Sequence, residues 1–430
     1  MALFTDDNKR NQLIIGALSA LACVIYLVVV SILDVTTEIM DWRFVNADDI
    51  FNGRPLEMEY PPLMLPFILL PRLFASTPFW YNVGFVVELF IFFIIGLIAV
   101  CKLAERFNKD QKRFMLLYTL MMLLMFEFVV DRQDVIPVAI TLLAIYLFVS
   151  KRYTWAFVLL ALGTMIKLYP GVLFIVFLIP LLMERNWKEA LKGTAAFAIV
   201  SGAVVLFAML IQPDMLSFFI GYHSDRPLQI ESVAASMFYP FVMMGLMDRN
   251  FAYTYGSDNF IGPLPDAIAP WLTPLMVVSI LMLYVVYVHV LKRIKDKGDE
   301  NDRMYLFAGV LLLSVMLFIV VGKVMSSQYL MWIIPFLLFM FMFTSDKRWE
   351  RKMLILFIVI LVLVQLQFAV ISGYFGGAET LALPENTIIG NIGLMIIVVK
   401  NVLLLLMFYY VARSMYERCL SMKRSSPPTG

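Results

Sequence analysis

The sequence predicts an all-α, polytopic integral membrane protein, and its composition and the spacing of its apolar stretches support that prediction. Of its 430 residues, 62% are hydrophobic and 15% are charged, whereas a soluble domain carries about a quarter charged residues. The mean hydropathy is +0.85. Apolar stretches recur along the whole chain, and basic clusters separate them.

About twelve transmembrane helices are expected within a single domain that covers residues 1–430, because about 20 apolar residues cross a membrane. The candidate spans lie near 12–33, 80–101, 114–130, 135–150, 153–168, 170–184, 193–211, 271–291, 305–321, 328–344, 353–371 and 390–411. Several are short, which is typical of tight hairpins. No small-residue cleavage site follows the first span, so a retained helix is expected there rather than a signal peptide.

The distribution of positive charge predicts the orientation. Most of the 34 Lys and Arg residues fall in segments on one side, which is then cytoplasmic together with both termini and the tail 414–430. Residues 62–79 are apolar but broken by prolines, and a crossing there would move every later basic loop to the other side. An amphipathic helix on the outer membrane surface is therefore expected there, within a first outer loop of residues 34–79.

The outer segments carry an unusual set of charged residues. The first outer loop holds a cluster of acids, which are Asp41, Asp48, Asp49, Glu57 and Glu59. The remaining outer segments, including a long loop at 212–270, hold the cations Arg132, Lys167, Arg226 and Lys323 against the general charge bias. Such cations either anchor the chain by reaching toward water or line a polar cavity. Four of them beside an acid cluster favour a functional site.

These residue types fit one kind of chemistry. Several cations at the membrane surface suit a phosphate or diphosphate held there by a lipid tail. A nearby carboxylate suits a general base that activates a hydroxyl. Both needs meet in an enzyme that takes a sugar from a polyprenyl phosphate, whose leaving phosphate needs cationic stabilisation.

Five short motifs in the expected order resemble the GT-C glycosyltransferases that use polyprenyl-phosphate sugars. The first outer loop, "DWRFVNADDIFNGRPLEMEYPPL", is similar to the superfamily pattern of an acid, an aromatic residue and a Y-P-P turn. "DRQD", "KLYP" and "SSQYLMWIIP" are similar to motifs of the first mannosyltransferase of GPI-anchor synthesis. "HSDRPLQIESVAAS" resembles the bacterial and archaeal family 87 enzymes.

The resemblance implies GT-C architecture and inverting transfer, with polyprenyl- or dolichyl-phosphate mannose as donor and a lipid-linked glycan or glycolipid as acceptor. It implies Asp41 as the catalytic acid's position. It implies a donor-binding set, which is Arg132, Lys167, Tyr169, Lys323, Gln328 and Tyr329. The acceptor or supporting residues would be Glu38, Asp134, His223, Arg226 and Glu231. Glu38 and Asp41 form E-x-x-D where the GPI enzyme has D-x-D, which leaves divalent-metal dependence open, and no cofactor is expected.

Two other function classes stay open on the sequence alone. A secondary transporter or flippase-like carrier has the same composition, although paired inverted repeats are not evident. A non-enzymatic lipid-binding subunit would keep the cavity without an exposed acid. With two His residues, no His-based triad or zinc site is expected, the three Cys residues give no disulfide framework, and no nucleic-acid partner is expected.

Overall fold

The computed structural model describes residues 6–33, 43–54, 59–294, 299–371 and 388–424. The chain divides into two compact units, of which the first ends at Gly221 and the second begins at Tyr222. Helices dominate both units, which confirms the predicted helical membrane protein.

The first unit is entirely helical over its described residues. Its helices are α1 (Asp6–Leu33), α2 (Val45–Phe51), α3 (Leu65–Arg72), α4 (Pro78–Arg106), α5 (Gln111–Leu123), α6 (Phe126–Asp131), α7 (Val135–Val149), α8 (Tyr153–Ile166), α9 (Tyr169–Met183), α10 (Trp187–Ile211) and α11 (Met215–Asp225), whose last turn belongs to the second unit. A 3-10 turn, Pro62–Met64, precedes α3. Helix α7 packs between α4 and α8, and α8 also packs on α10, so α7 is buried along most of its length.

The second unit combines long helices with a small sheet. Its elements are strand β1 (Leu228–Gln229), helices α12 (Val233–Ser236) and α13 (Tyr239–Met243), strands β2 (Phe251–Thr254) and β3 (Ser257–Phe260), and helices α14 (Pro263–Ile294), α15 (Glu300–Val321), α16 (Ile333–Phe341), α17 (Lys347–Ile371) and α18 (Ile388–Arg424). A 3-10 turn, Ser327–Trp332, leads into α16. Helix α18 packs along α17 and α15.

A small sheet accompanies the helices of the second unit. Its three antiparallel strands have the order β1-β3-β2, and Leu228 pairs with Phe260. Tyr255 and Gly256 join β2 to β3 with φ angles of 53° and 63°, and two consecutive positive values are typical of the tight type I′ hairpin turn. Strands of two to four residues carry too little apolar alternation to be recognised beside long apolar helices.

The sheet packs against the last long helix. Leu228, Tyr239 and Phe260 belong to one buried apolar cluster that also contains Leu394 and Ile397 of α18. The sheet therefore fixes the segment after β1, which carries a predicted site residue, against the N-terminal half of α18.

Six described helices are long and apolar enough to cross a membrane. They are Pro78–Arg106, Trp187–Ile211, Pro263–Arg293, Glu300–Val321, Lys347–Phe368 and Ile388–Met422. Shorter apolar helices occupy most of the other expected spans, while the expected span 114–130 is divided between α5 and α6. The count of twelve spans stays a prediction. A helix does lie within 62–79, and the long loop 212–270 contains α11, the sheet and the beginning of α14.

Candidate active site

A buried ion pair in the first unit joins two of the predicted site residues. The Lys167 ammonium lies 3.3 Å from one carboxylate oxygen of Asp134 and 3.4 Å from the other. The same ammonium lies 4.7 Å from the centre of the Tyr60 ring. The guanidinium of Arg43 also lies close to that ring, 5.8 Å from its centre, and Arg43 is completely buried. We call Arg43, Tyr60, Asp134 and Lys167 the Lys167 cluster.

Breaks between consecutive helices place the two charged residues of this pair. Lys167 ends α8 in an extended conformation, with φ −151° and ψ 138°, and Pro170 stands in the first turn of α9, where proline is favoured. Gly171 permits the tight turn, because a Cβ there would meet Thr164 at 2.8 Å. Asp134 precedes α7 but its side chain caps no backbone amide, so the carboxylate is available to Lys167.

The segment between α6 and α7 adds further polar groups. Arg132 is extended and its Nε lies 3.6 Å from a carboxylate oxygen of Asp131. Gln133 is completely buried, and both polar atoms of its amide lack a hydrogen-bond partner among the described residues. Buried amides are nearly always satisfied by protein, water or ligand, so Gln133 marks a polar position of the first unit that sequence reasoning missed.

A second buried ion pair lies in the second unit. The Glu231 carboxylate lies 3.6 Å from the Lys400 ammonium and accepts a 2.6 Å hydrogen bond from the Ser327 hydroxyl. Ser327 in turn accepts a 3.3 Å hydrogen bond from the amide of Gln367. The Asn401 amide donates to the backbone oxygen of Glu231 at 3.0 Å. We call Glu231, Ser327, Gln367, Lys400 and Asn401 the Glu231 cluster.

Lys323 organises a neighbouring part of the second unit. Its ammonium donates to the backbone oxygen of Ser224 at 2.7 Å, and its own backbone oxygen accepts from the amide of Gln229 at 3.0 Å. Arg226 lies over the Tyr222 ring at 5.7 Å, and the ring of His223 meets Tyr222 edge-on. Lys323, His223 and Arg226 are thus placed around the chain between α11 and β1.

The other predicted donor residues have different surroundings. Tyr169 is completely buried, and its hydroxyl lies 3.3 Å from that of Thr141 on α7, a contact that belongs to helix packing. Tyr329 stacks on Trp332 with ring centres 3.9 Å apart. Gln328 lies in the same 3-10 turn and is 9% exposed.

Glu38 and Asp41, the two acids of the expected E-x-x-D motif, lie outside the described residues. Lys400 and Asn401 lie inside the expected span 390–411, and nothing in the sequence connects them with Glu231. Tyr60 begins the Y-P-P turn of the first outer loop and was not among the predicted site residues. Lys400 could have been found from the sequence because a charge inside a membrane span is costly, so such a residue has a partner or a function.

Burial shifts the ionisation of groups outside the long helices. Desolvation raises the pKa of Tyr60 well above its ordinary value, and the negative charge of Glu59 adds to that shift. Desolvation lowers the pKa of Lys323, while the nearby charge of Asp225 opposes the change. Desolvation, with a further contribution from Glu231, raises the pKa of Asp258 to about 7. The Tyr60 hydroxyl therefore stays protonated at neutral pH.

A metal site requires several ligand side chains that converge on one ion. Over the described parts of the chain, no three His, Cys, Asp or Glu side chains converge closely enough to hold an ion. The acids of the Lys167 and Glu231 clusters instead face ammonium groups.

Comparison with models of protein families gives a match. The model of glycosyltransferase family 87 matches residues 59–321, which is more than half of the 430-residue chain. The matched region contains Tyr60, Asp134, Lys167, Glu231 and Lys323. Comparison with curated proteins found no match.

Proposed function

The chain belongs to glycosyltransferase family 87 and is an integral membrane protein, and from that premise we propose that it transfers mannose from a polyprenyl or dolichyl phosphate. The acceptor is a hydroxyl of a lipid-linked glycan or glycolipid. Family membership favours this transferase over the transporter that composition alone allows.

The observation that carries the proposal is the arrangement of the Lys167 cluster. Asp134, with 1% of its side chain exposed, lies behind Lys167, which retains 10% exposure. The cation is thus the more exposed partner of the pair, at a break between two helices. A phosphate oxygen approaching this position meets an ammonium that is already oriented, which supports a role in binding the donor phosphate.

The proposed reaction is a single displacement with inversion. The acceptor hydroxyl attacks the anomeric carbon, its proton passes to a carboxylate, and the bond from that carbon to the lipid phosphate breaks. Lys167 and Arg132 stabilise the negative charge of the leaving phosphate. Asp41 is proposed as the base, since it precedes the buried Arg43 by two residues in the first outer loop.

A transfer assay tests the function directly. The purified full-length protein in phospholipid nanodiscs should convert radiolabelled polyprenyl-phosphate mannose and a glycolipid acceptor into a mannosylated product. Nucleotide-linked mannose should give no product when no lipid phosphate is supplied. Product formed from the nucleotide sugar alone would contradict the proposed donor class.

The proposed site faces the outside or the lumen, and both termini face the cytoplasm, because basic segments prefer the cytoplasmic side. Asn52 and Lys112 are exposed residues of the expected outer and inner loops. In a cysteine-free background, Asn52→Cys should react with an impermeant thiol reagent applied to intact cells, and Lys112→Cys should not. Labelling of both positions from outside would reject the orientation.

A further inference from the structure

The Glu231 cluster gathers four separate chain segments around one carboxylate. Glu231 follows β1, Ser327 lies in the 3-10 turn before α16, Gln367 lies in α17 and Lys400 lies in α18. Only Glu231 falls within the region matched by the family model, which ends at residue 321. The family match therefore does not assign a role to the partners that hold this carboxylate.

The hydrogen bonds of the cluster fix the direction of its amides. The Asn401 NH2 group donates to the backbone oxygens of Glu231 and Ser232 at 3.0 and 3.2 Å. That leaves the Asn401 side-chain oxygen pointing away from both carbonyls. The Gln367 NH2 group donates to Ser327, whose hydroxyl proton goes to Glu231.

Two acceptor oxygens are left over in this arrangement. The side-chain oxygens of Gln367 and Asn401 have no hydrogen-bond partner among the described residues, although these residues are only 2% and 1% exposed. Buried acceptors without partners are uncommon in native proteins because their desolvation is costly. A ligand that donates hydrogen bonds would satisfy them.

The charges of the cluster restrict the kind of ligand. Lys400 is completely buried and its charge is matched by Glu231, so the pair is neutral overall. Glu231 is the accessible member, with 19% of its side chain exposed. A phosphate would meet a carboxylate there and be repelled, whereas neutral hydroxyl groups donate to carboxylate and amide oxygens without a charge penalty.

We propose that the Glu231 cluster is a binding subsite for the neutral, hydroxyl-bearing sugar end of the acceptor. Glu231, Gln367 and Asn401 accept hydrogen bonds from the hydroxyls, and Lys400 is a positioning residue that keeps Glu231 ionised and oriented. The identification of this ligand as the acceptor rests on the proposed glycosyl transfer. The binding of a neutral sugar is argued from the cluster alone and is independent of that function.

A binding experiment with the full-length protein in nanodiscs tests the subsite without catalysis. The probes are octyl glucoside below its micelle concentration and octyl phosphate, which share one alkyl chain. The variant Glu231→Gln/Lys400→Met removes both charges together and leaves no buried ion alone. It should weaken octyl glucoside binding by about 10- to 100-fold, the usual value of hydrogen bonds to a charged group, and leave octyl phosphate binding unchanged.

Two further variants make the outcome specific. Asp302→Asn/Arg418→Met removes another ion pair of α18, 2.5 Å long, and should leave octyl glucoside binding as in the wild type. Gln367→Met keeps the side-chain volume and creates no charge. It replaces Glu231→Gln/Lys400→Met as the test variant if that double variant fails to fold, and it should also weaken binding of the glucoside. Equal glucoside affinity in wild type and Gln367→Met, or no glucoside binding by the wild type, overturns the subsite.

Kinetics separate this inference from the proposed function. With polyprenyl-phosphate mannose as donor, the neutralised pair should raise the KM for the glycolipid acceptor and leave the KM for the donor unchanged. Normal transfer with an unchanged acceptor KM overturns the subsite while the function stands. Loss of glucoside binding in the variants, in a protein that transfers no sugar from any lipid phosphate, supports the subsite and rejects the proposed function.

Discussion

The two buried ion pairs of this protein use the same chemical groups in opposite ways. In the first unit the acid is the hidden partner, since Asp134 is 1% exposed and Lys167 is 10% exposed. In the second unit the cation is hidden, since Lys400 is 0% exposed and Glu231 is 19% exposed. The first pair thus presents an ammonium and the second presents a carboxylate.

Local structure explains this difference. Lys167 lies at a break between two helices, where its backbone is extended and its ammonium also meets the ring of Tyr60. Lys400 lies inside the long helix α18 and has no route to water, so its charge requires a partner brought to it by the sheet. An accessible ammonium suits an anionic donor, and an accessible carboxylate suits a hydroxyl-bearing acceptor.

The largest expected effect belongs to neither pair, because both are proposed to bind rather than to exchange a proton with the substrate. Asp41→Asn preserves size and removes basicity, so turnover should fall by about 10²–10⁴-fold while donor binding is kept. Single-turnover transfer rates measure this effect. Asp49→Asn is the control, since Asp49 forms an exposed 2.6 Å pair with Arg54 and should change turnover little.

Near-normal turnover of a folded Asp41→Asn protein would move the base to another acid. Glu38 is the first alternative in the same loop. Glu231 is the second, and that outcome would give the second ion pair a chemical role in place of a binding role.

In one ion pair the loss of the acid should cost more stability, and in the other the loss of the cation should cost more. Glu231→Gln leaves the completely buried Lys400 charge alone and should cost about 3–5 kcal/mol of stability, more than Lys400→Met costs. In the first unit Lys167→Met should cost more stability than Asp134→Asn, because it removes the ammonium that faces the less exposed member of the pair. Thermal unfolding of the four proteins in nanodiscs measures this order. If the acid variant, or the cation variant, were the less stable one in both units, the difference in exposure between the two pairs would have no energetic consequence.

Neutralising the first pair as a whole should affect the donor. Lys167→Met/Asp134→Asn removes the accessible ammonium together with its buried carboxylate partner, so the KM for the polyprenyl-phosphate donor should rise by about 10-fold or more. The acceptor KM should stay the same. Lys192→Met removes an exposed cation, whose side chain is 50% exposed beside Glu189, and is the matched control. A rise in the acceptor KM instead would show that the first pair binds the acceptor, which contradicts its proposed role in donor binding.

Sequence reasoning reached the first pair more fully than the second. Asp134 and Lys167 stand in short polar motifs between apolar stretches, and helix breaks next to prolines bring such motifs to the ends of packed helices. The resemblance of these motifs to the glycosyltransferase motifs implied that both are site residues, and the structure brings the two side chains together. Their ion pair depends on packing between helices, for which one sequence holds no direct signal.

The contact of Glu231 with Lys400 lay beyond prediction for a physical reason. The two residues meet because a short sheet packs on α18, and that sheet depends on cross-strand pairing and a turn at Tyr255 and Gly256 rather than on a long periodic pattern. Lys400 alone could be recognised as a costly charge in an apolar span. Arg43 was expected in a surface loop, yet it is completely buried beside aromatic rings, because packing and not loop composition decides its burial.

The smallest expected effect is a pH dependence that belongs to the second unit. Burial, and then the charge of Glu231, raises the pKa of Asp258 from 3.8 to about 7 in the folded protein. Below about pH 4 the carboxyl is protonated in both states, and the shift costs nothing. As the pH rises from 4 to 7, the unfolded chain releases this proton and the folded protein retains it, so stability declines across that window and levels off above pH 7.

Asp258→Asn should remove this decline. Its Tm should match that of the wild type near pH 4 and exceed it modestly at pH 8, because the partly exposed carboxyl is screened by solvent. Scanning calorimetry at both pH values measures the difference. Lys167→Met/Asp134→Asn, which changes only the first unit, should keep the decline that Asp258 causes. A Tm advantage of Asp258→Asn that is equal at pH 4 and pH 8 would show that Asp258 ionises freely, and that the accessible carboxylate of Glu231 does not influence its neighbour.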